Sequence, residues 1–199
     1  MIGLLVLAAA AQPVEVAERA FASMAQTKGQ WTAFRAFAAP DAIMMVDGPQ
    51  PAAPFLKDRA DPPVAVMWWP ARTITSCDGT LAFSTGPWRR NGGKTTGRFV
   101  TIWQRQTDGG WKWIYDGGVE DIVGAPARDR VQAIQASCGA PTMPFMLVNA
   151  AGPEGVSKDG TFQWSVKGSS EWSRVGPYRL RVWYNRDGNA TPAIDLIVG

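Results

Sequence analysis

The stretch that most constrains the fold covers residues 97–118, with the sequence GRFVTIWQRQTDGGWKWIYDGG. Its two arms, residues 98–106 and 111–116, are rich in aromatic and β-branched side chains, which favour β-strands. Between the arms, Asp108-Gly109-Gly110 is typical of a tight turn, because glycine adopts positive φ without a steric penalty. The stretch therefore predicts a β-hairpin around which the preceding segments pack.

The turn leaves two registers open for this hairpin. A two-residue turn at Asp108-Gly109 would place Ile102 opposite Tyr115. A three-residue loop with Gly109 in the left-handed region would instead place Trp103 opposite Trp113. We favour the second register, because it gathers four aromatic residues on one face beneath the helices: Trp103, Trp111, Trp113 and Tyr115.

The segments before the hairpin predict helices first and strands afterwards. Apolar residues spaced three and four apart predict helices over about 15–26 and 30–38, followed by a short strand at 43–46. The proline-rich segment 49–63 predicts a loop with one helical turn near 55–58. Strands at 72–76 and 80–85 would form a hairpin around Asp78-Gly79. The polar segment 89–96 would be a flexible link between this hairpin and the next. This order favours an α+β fold, with helices on one face of a strongly curved antiparallel sheet.

Beyond Gly118 the sequence predicts a small β-rich appendage. Alternating apolar residues indicate strands at 161–166, 178–184 and 193–198, with turns at Asp159-Gly160 and Asp187-Gly188. Residues 119–138 could form a helix or an extended connector. We therefore expect a main domain over residues 13–122 and a C-terminal extension over residues 123–199.

The N-terminus and the cysteines both bear on localisation. Residues 1–12 contain an apolar run too short to span a bilayer, followed by small residues, which predicts a signal peptide and a periplasmic or secreted protein. The alternative is an apolar start to the first helix. In an exported protein, Cys77 and Cys138 could form a disulfide, whereas two buried thiols are the alternative.

The composition excludes several kinds of chemistry. The chain has no histidine among its 199 residues, which rules out histidine-based triads, general bases and metal ligands. We expect no metal site and no cofactor. The net charge of +3 comes from scattered Lys and Arg, so we expect no nucleic-acid partner. We also expect no stable membrane insertion.

Several motifs together carry a resemblance to a known superfamily. Two amphipathic helices ending in Phe34-x-x-Phe37 are followed by Trp69-Pro70, by Ser84-Thr85-Gly86-Pro87-Trp88, and by the W-x(4)-D-G-x-W-K pattern of the hairpin. Over about residues 14–118 the chain resembles the SnoaL-like and nuclear-transport-factor-2-like superfamily, in particular a bacterial branch of unknown function. The resemblance implies a cone-shaped α+β fold with a pocket in its mouth. Isomerases, cyclases, dehydratases, non-enzymatic binders and dimers all occur in this superfamily, so the fold does not decide the activity.

Candidate pocket residues come from the aromatic and charged positions of the strands. If a pocket exists, aromatic walls suit it, and the candidates are Trp69, Trp88, Trp103, Trp113 and Tyr115. For each of them the alternative is an ordinary core position. Arg98 could pair with an anionic ligand or flank the edge of the sheet.

Two aspartates are the candidates for catalysis. Asp116 lies where members of the resembled superfamily often carry a functional acid, although a turn before Gly117-Gly118 would also explain it. Asp47 could be a general base if it were buried in an apolar pocket, where desolvation raises a carboxyl pKa. A solvated turn at Asp47-Gly48 is the alternative.

These observations give a leading hypothesis and two alternatives. The leading hypothesis is an exported protein that binds a small apolar or aromatic molecule and has no catalysis of its own. The first alternative is an isomerase or dehydratase that uses Asp47 or Asp116 as its base, and it requires one of these carboxylates to be buried in a pocket. The second alternative is a homodimer formed through the hairpin face.

Overall fold

The computed structural model describes residues 12–121, 129–139, 154–168 and 178–198. The predicted signal peptide lies outside these ranges, apart from Gln12. The helices are α1 (Val14–Lys28), α2 (Gln30–Phe37) and α3 (Ala52–Leu56), with a 3₁₀ turn at Asn91–Gly93. The strands are β1 (Ala38–Met45), β2 (Pro49–Pro51), β3 (Met67–Trp68), β4 (Arg72–Thr75), β5 (Leu81–Arg90), β6 (Thr95–Arg105), β7 (Trp111–Glu120), β8 (Gln132–Gln135), β9 (Glu154–Val156), β10 (Phe162–Gly168), β11 (Tyr178–Arg186) and β12 (Asn189–Val198).

The predicted α+β class is confirmed, but the main sheet is mixed. Within the described residues it has eight strands, in the order β2-β1-β7-β6-β5-β4-β8, with β3 beside β5. The strands β4 to β7 are antiparallel, as predicted. However, β1 runs parallel to β7 and β8 runs parallel to β4. The expectation of a purely antiparallel sheet is therefore wrong, because both parallel partners come from distant parts of the chain.

The C-terminal strands form a second sheet in the order β12-β11-β10-β9. The three predicted C-terminal strands are confirmed, whereas β8 and β9 were not predicted. One apolar core lies between the helices and the main sheet, and another lies between the two sheets. Since β8 belongs to the main sheet, the predicted boundary at residue 122 does not separate the two sheets. Among the described residues, the hairpin formed by β6 and β7 contributes to both cores.

The hairpin combines the two registers that the sequence left open. Trp103 pairs with Trp113, as favoured, but Ile102 pairs with Tyr115. The extra residue is Ile114, so β7 contains a β-bulge, which reverses the facing of every side chain beyond it. Trp111 and Trp113 face the helices, whereas Tyr115 packs in the core between the sheets. The prediction of a single aromatic face that includes Tyr115 is therefore wrong.

Two further expectations differ from the structure. Strand β1 begins at Ala38, directly after α2, rather than at residue 43. The segment 89–96 is not a flexible link, because Arg89 pairs with Thr96 and Arg90 with Thr95 around a tight turn. Gly92 and Gly93 adopt φ of 65° and 88° there, which this turn requires.

The two sheets meet at a pair of similar turns. Residues 76–81 read Ser-Cys-Asp-Gly-Thr-Leu and residues 157–162 read Ser-Lys-Asp-Gly-Thr-Phe. The backbone N–H of Asp78 donates to Oδ2 of Asp159 at 2.7 Å, and the N–H of Asp159 donates to Oδ2 of Asp78 at 3.1 Å. We call this pair the reciprocal turns. They join the main sheet to the second sheet through exchanged aspartate side chains.

Cys77 and Cys138 form a disulfide, with their Cα atoms 5.2 Å apart. Cys77 lies in the first of the reciprocal turns, and Cys138 follows β8. The bond therefore fixes the β8 edge of the main sheet close to the junction between the sheets. None of the helices in the described residues is both long enough and apolar enough to cross a membrane.

Candidate functional site

A cavity of about 210 Å³ lies between the helices and the main sheet. Residues of α2, β1, β3, β5, β6 and β7 line it. Its apolar lining is mostly aromatic and consists of Trp31, Phe34, Trp68, Trp88, Phe99, Met44, Met45 and Val66. The remaining lining residues are Gln30, Arg90, Asp116, Gly117 and Gly118. A concave aromatic surface with a few polar groups is typical of a small-molecule site.

Glycines opposite Trp88 allow this tryptophan to form a wall of the cavity. Trp88 pairs with Gly97 across β5 and β6. A Cβ atom at Gly97 would lie 2.4 Å from the indole ring, and one at Gly118 would lie 3.3 Å from its Nε1 atom. The ring therefore occupies the space that side chains at these two positions would need.

The β-bulge at Ile114 turns Asp116 toward the cavity. If Ile114 were part of a regular strand with no bulge, Asp116 would share a face with Lys112 and point away from the helices. Beyond the bulge, Asp116 pairs with Thr101, whose hydroxyl donates to Asp116 Oδ2 at 2.8 Å. Bulges commonly re-aim a side chain at a functional site.

The environment of Asp116 favours its protonated form. Desolvation, assisted by the charge of Glu18, raises the pKa of Asp116 to about 8, and the hydrogen bond from Thr101 only partly offsets this rise. Asp116 is partly accessible from the cavity, but it lies deep enough to lose most of its hydration. At neutral pH it is mainly a neutral carboxylic acid, which can both donate and accept hydrogen bonds.

Glu18 is a second carboxyl near the site, and sequence reasoning missed it. Its side chain in α1 has 0% exposure. Trp68 Nε1 donates to Oε1 at 2.8 Å, Trp103 Nε1 donates to Oε2 at 3.0 Å, and the Ser84 hydroxyl also donates to Oε2. Burial raises the pKa of Glu18 against the effect of these hydrogen bonds. The sequence signal was its position among the apolar residues of the inward face of α1.

The cavity lining includes two of the predicted site residues, Trp88 and Asp116. Trp103 and Trp113 have 0% exposure and lie in the core beneath the helices, where Phe21 packs edge-on against Trp103. They support the site from below and do not line the cavity.

The other candidates lie elsewhere. Tyr115 is buried between the sheets next to Trp164. Trp69 is buried beside the Arg89 guanidinium, and Arg98 pairs with Asp121 at 3.5 Å. Asp47 is exposed in a turn with φ of 52°, which agrees with the alternative explanation for this residue and not with a buried base.

The part of the chain that the structure describes contains no cluster of three or more residues suited to hold a metal ion. No protein-family model matches the chain, and no curated protein matches it. The function is therefore inferred from the geometry of the cavity.

The raised pKa of Asp116 predicts that the protein loses stability as the pH rises. The folded pKa is about 8 and the ordinary value is 3.8, so the stabilisation from the protonated form is complete below about pH 4 and is lost between about pH 4 and 8. Asp116→Asn keeps a neutral side chain of similar size. We expect D116N to be more stable than the wild type at pH 8, by at least about 1 kcal/mol, and similar to it at pH 4.

Thermal unfolding at these two pH values measures this difference. The matched control is Asp47→Asn, because Asp47 is exposed and asparagine tolerates positive φ. Its melting temperature should follow the wild type at both pH values. If D116N lost as much stability between pH 4 and pH 8 as the wild type does, this would contradict the assignment of a raised pKa to Asp116.

Proposed function

We propose that the protein binds a small, largely apolar molecule in the cavity between α2 and the main sheet. The observation that carries this proposal is the combination of an aromatic cavity lining with one carboxyl group that has a raised pKa. The indole and phenyl rings offer apolar contact area, while the carboxyl offers a directional hydrogen bond. Such a site would orient a ligand by a single polar group.

The protonation state of Asp116 specifies the kind of polar group. A neutral carboxyl in an apolar site favours an uncharged hydroxyl or carbonyl group, because an anion would lose its hydration without gaining a counter-charge. The Arg90 guanidinium at the exposed rim already pairs with Glu120. The volume of about 210 Å³ lies below the roughly 300–1,000 Å³ typical of drug-sized ligands. The expected ligand is therefore an uncharged molecule of one or two rings.

Paired compounds test this binding function. In a thermal-shift screen of ring compounds with and without a hydroxyl or carbonyl group, the substituted members should raise the melting temperature. Calorimetry should show that Asp116→Ala weakens the affinity for the substituted compound about tenfold, the effect of one lost hydrogen bond. Its effect on the unsubstituted parent should be small. No stabilisation by any compound, including lipophilic, polyketide-like and sugar ligands, would count against the proposal.

A second candidate function is proton transfer by Asp116, as in an isomerase or dehydratase. The observation that favours it is a carboxyl pKa of about 8, which is close to a neutral working pH, as a general base or acid requires. Arg90 is the other ionisable group among the described lining residues, so Asp116 would have to both take and return the proton. Compounds found in the screen can be incubated with the protein and analysed for isomerised or dehydrated products. Turnover that disappears in D116N would favour catalysis over binding alone.

We also propose that the chain belongs to the SnoaL-like and nuclear-transport-factor-2-like superfamily, with its helices and main sheet forming the cone. The position of the cavity, between the helices and one face of the sheet, supports this proposal. Export to the periplasm or outside the cell is proposed as well. The Cys77–Cys138 disulfide supports it, since disulfides persist in oxidising compartments.

A further inference from the structure

We propose that Glu18 is a positioning residue of the cavity. It fixes the ring of Trp68, and its carboxyl is coupled to that of Asp116. This inference deepens the proposed binding function and rests on that function. Glu18 does not line the cavity, so it would act through these two residues and not by contact with a ligand.

The contact with Trp68 connects Glu18 to the cavity wall. The Trp68 indole lines the cavity, and its only polar atom donates to Glu18 Oε1 at 2.8 Å. Phe21 and Phe34 pack edge-on against the same ring. Apolar packing allows a planar ring some sliding, whereas a buried hydrogen bond to a carboxyl fixes its direction. Glu18 therefore determines how the Trp68 ring faces the ligand space.

A row of polar residues connects Glu18 to Asp116. Ser84, Thr101 and Asp116 occupy directly paired positions on β5, β6 and β7. Directly paired residues share a face and have Cβ atoms about 5 Å apart. The Ser84 hydroxyl donates to Glu18, and the Thr101 hydroxyl donates to Asp116. The two carboxyls thus lie at the ends of one buried row, on the helix-facing side of the sheet.

Charges near this row are few, so little screens one carboxyl from the other. Among the described residues, Arg90 of β5 also lines the cavity, but Glu120 pairs with it at the exposed rim. Tyr115 of β7 faces the other sheet and is neutral, because burial raises its pKa. The negative charge of Glu18 raises the pKa of Asp116 in addition to desolvation. Coupled groups of this kind lose their protons in two steps that belong to the pair.

Glu18→Gln tests the coupling without removing the side chain. Glutamine keeps an acceptor oxygen for Trp68 but has no charge. Carbon-13 NMR titration, without ligand, should show the pKa of Asp116 falling below its wild-type value of about 8. The indole N–H resonance of Trp68 should shift as well. Glu15→Gln is the matched control, since it makes the same change on α1 at a half-buried position. It should leave both readouts unchanged.

A second variant keeps the inference testable if E18Q does not fold. The indole resonances of Trp68 and Trp103 should titrate in two steps, one for each carboxyl, and Asp116→Asn should remove the step that belongs to Asp116, near pH 8. An unchanged Asp116 pKa in E18Q, or an indole titration that keeps both steps in D116N, would overturn the inference. Neither measurement uses a ligand. Failure of the ligand screen would therefore refute the binding function alone, and an unchanged titration would refute only the role of Glu18.

Discussion

Replacing Cys77 and Cys138 with serine should lower the free energy of unfolding by about 4 kcal/mol, the value expected from chain entropy for a loop of this length. The disulfide closes a loop with a sequence separation of 61 residues, which contains β5, β6, β7 and β8. Without the bond, the unfolded chain gains conformations that folding must then restrict. For a protein of this size, the loss corresponds to a fall in melting temperature of about 10 °C.

Urea unfolding of the wild type, both single variants and the double variant measures this effect. Each single substitution already breaks the bond, so C77S and C138S should each lose nearly as much stability as the double variant, and their effects should not add. Reducing the wild type should produce the same loss. If the double variant unfolds at the wild-type urea concentration, the disulfide does not constrain the unfolded chain.

Local patterns in the sequence predicted most of the secondary structure, but the partners of the distant strands needed information that the patterns lack. Apolar spacing located α1 and α2. Asp-Gly pairs located the turns between five pairs of consecutive antiparallel strands, at residues 47–48, 78–79, 108–109, 159–160 and 187–188. The parallel pairing of β1 with β7 and of β4 with β8 joins segments far apart in the chain. Nothing in the local sequence of β8 identifies β4 as its neighbour, so this region remained open between a helix and a connector.

The candidate site was predicted only in part, for a definite physical reason. A turn type fixes strand register only as far as the first bulge. The bulge at Ile114 therefore reverses the faces on which Tyr115 and Asp116 lie. Tyr115 lies on the face opposite to the predicted one, and Asp116 lies on the helix-facing side, where Tyr115 was predicted. The sequence did contain a signal from which Glu18 could have been predicted. It lies on the same helical face as Val14 and Phe21, and a charged residue on a buried face must find hydrogen-bond partners.

Replacing Asp78 and Asp159 with asparagine should destabilise the reciprocal turns by about 2 kcal/mol, because two charge-assisted hydrogen bonds are lost and each contributes about 1 kcal/mol at an exposed site. Within each turn, Oδ1 accepts hydrogen bonds from the turn's own serine and threonine, whereas Oδ2 accepts the backbone N–H of the other turn. Asparagine can keep the first set through its oxygen. Its amide nitrogen would then face the N–H of the opposite turn, so two donors would oppose each other.

The control for this variant is Asp108→Asn in the hairpin turn. Asp108 Oδ1 accepts the N–H of Gly110 at 2.9 Å within its own turn, and among the described residues no second turn exchanges hydrogen bonds with it. D108N should change the free energy of unfolding by a few tenths of a kcal/mol at most. Equal unfolding curves for D78N/D159N and D108N at pH 6 would show that the exchanged bonds do not join the sheets.

Acid should remove the difference between the wild type and the D78N/D159N variant. Burial acts to raise the pKa of Asp78 and Asp159, but the hydrogen bonds from serine, threonine and the facing backbone N–H outweigh it and hold both pKa values below the ordinary 3.8. A carboxyl with a depressed folded pKa contributes stability that is complete above its unfolded pKa and is lost as the pH falls through the folded one. Urea unfolding should therefore separate the two proteins at pH 6, and the difference should shrink as the pH falls further below about 4. A difference of the same size at both pH values would mean that the carboxylate charges take no part in joining the sheets. Asparagine would then destabilise the reciprocal turns through its shape alone.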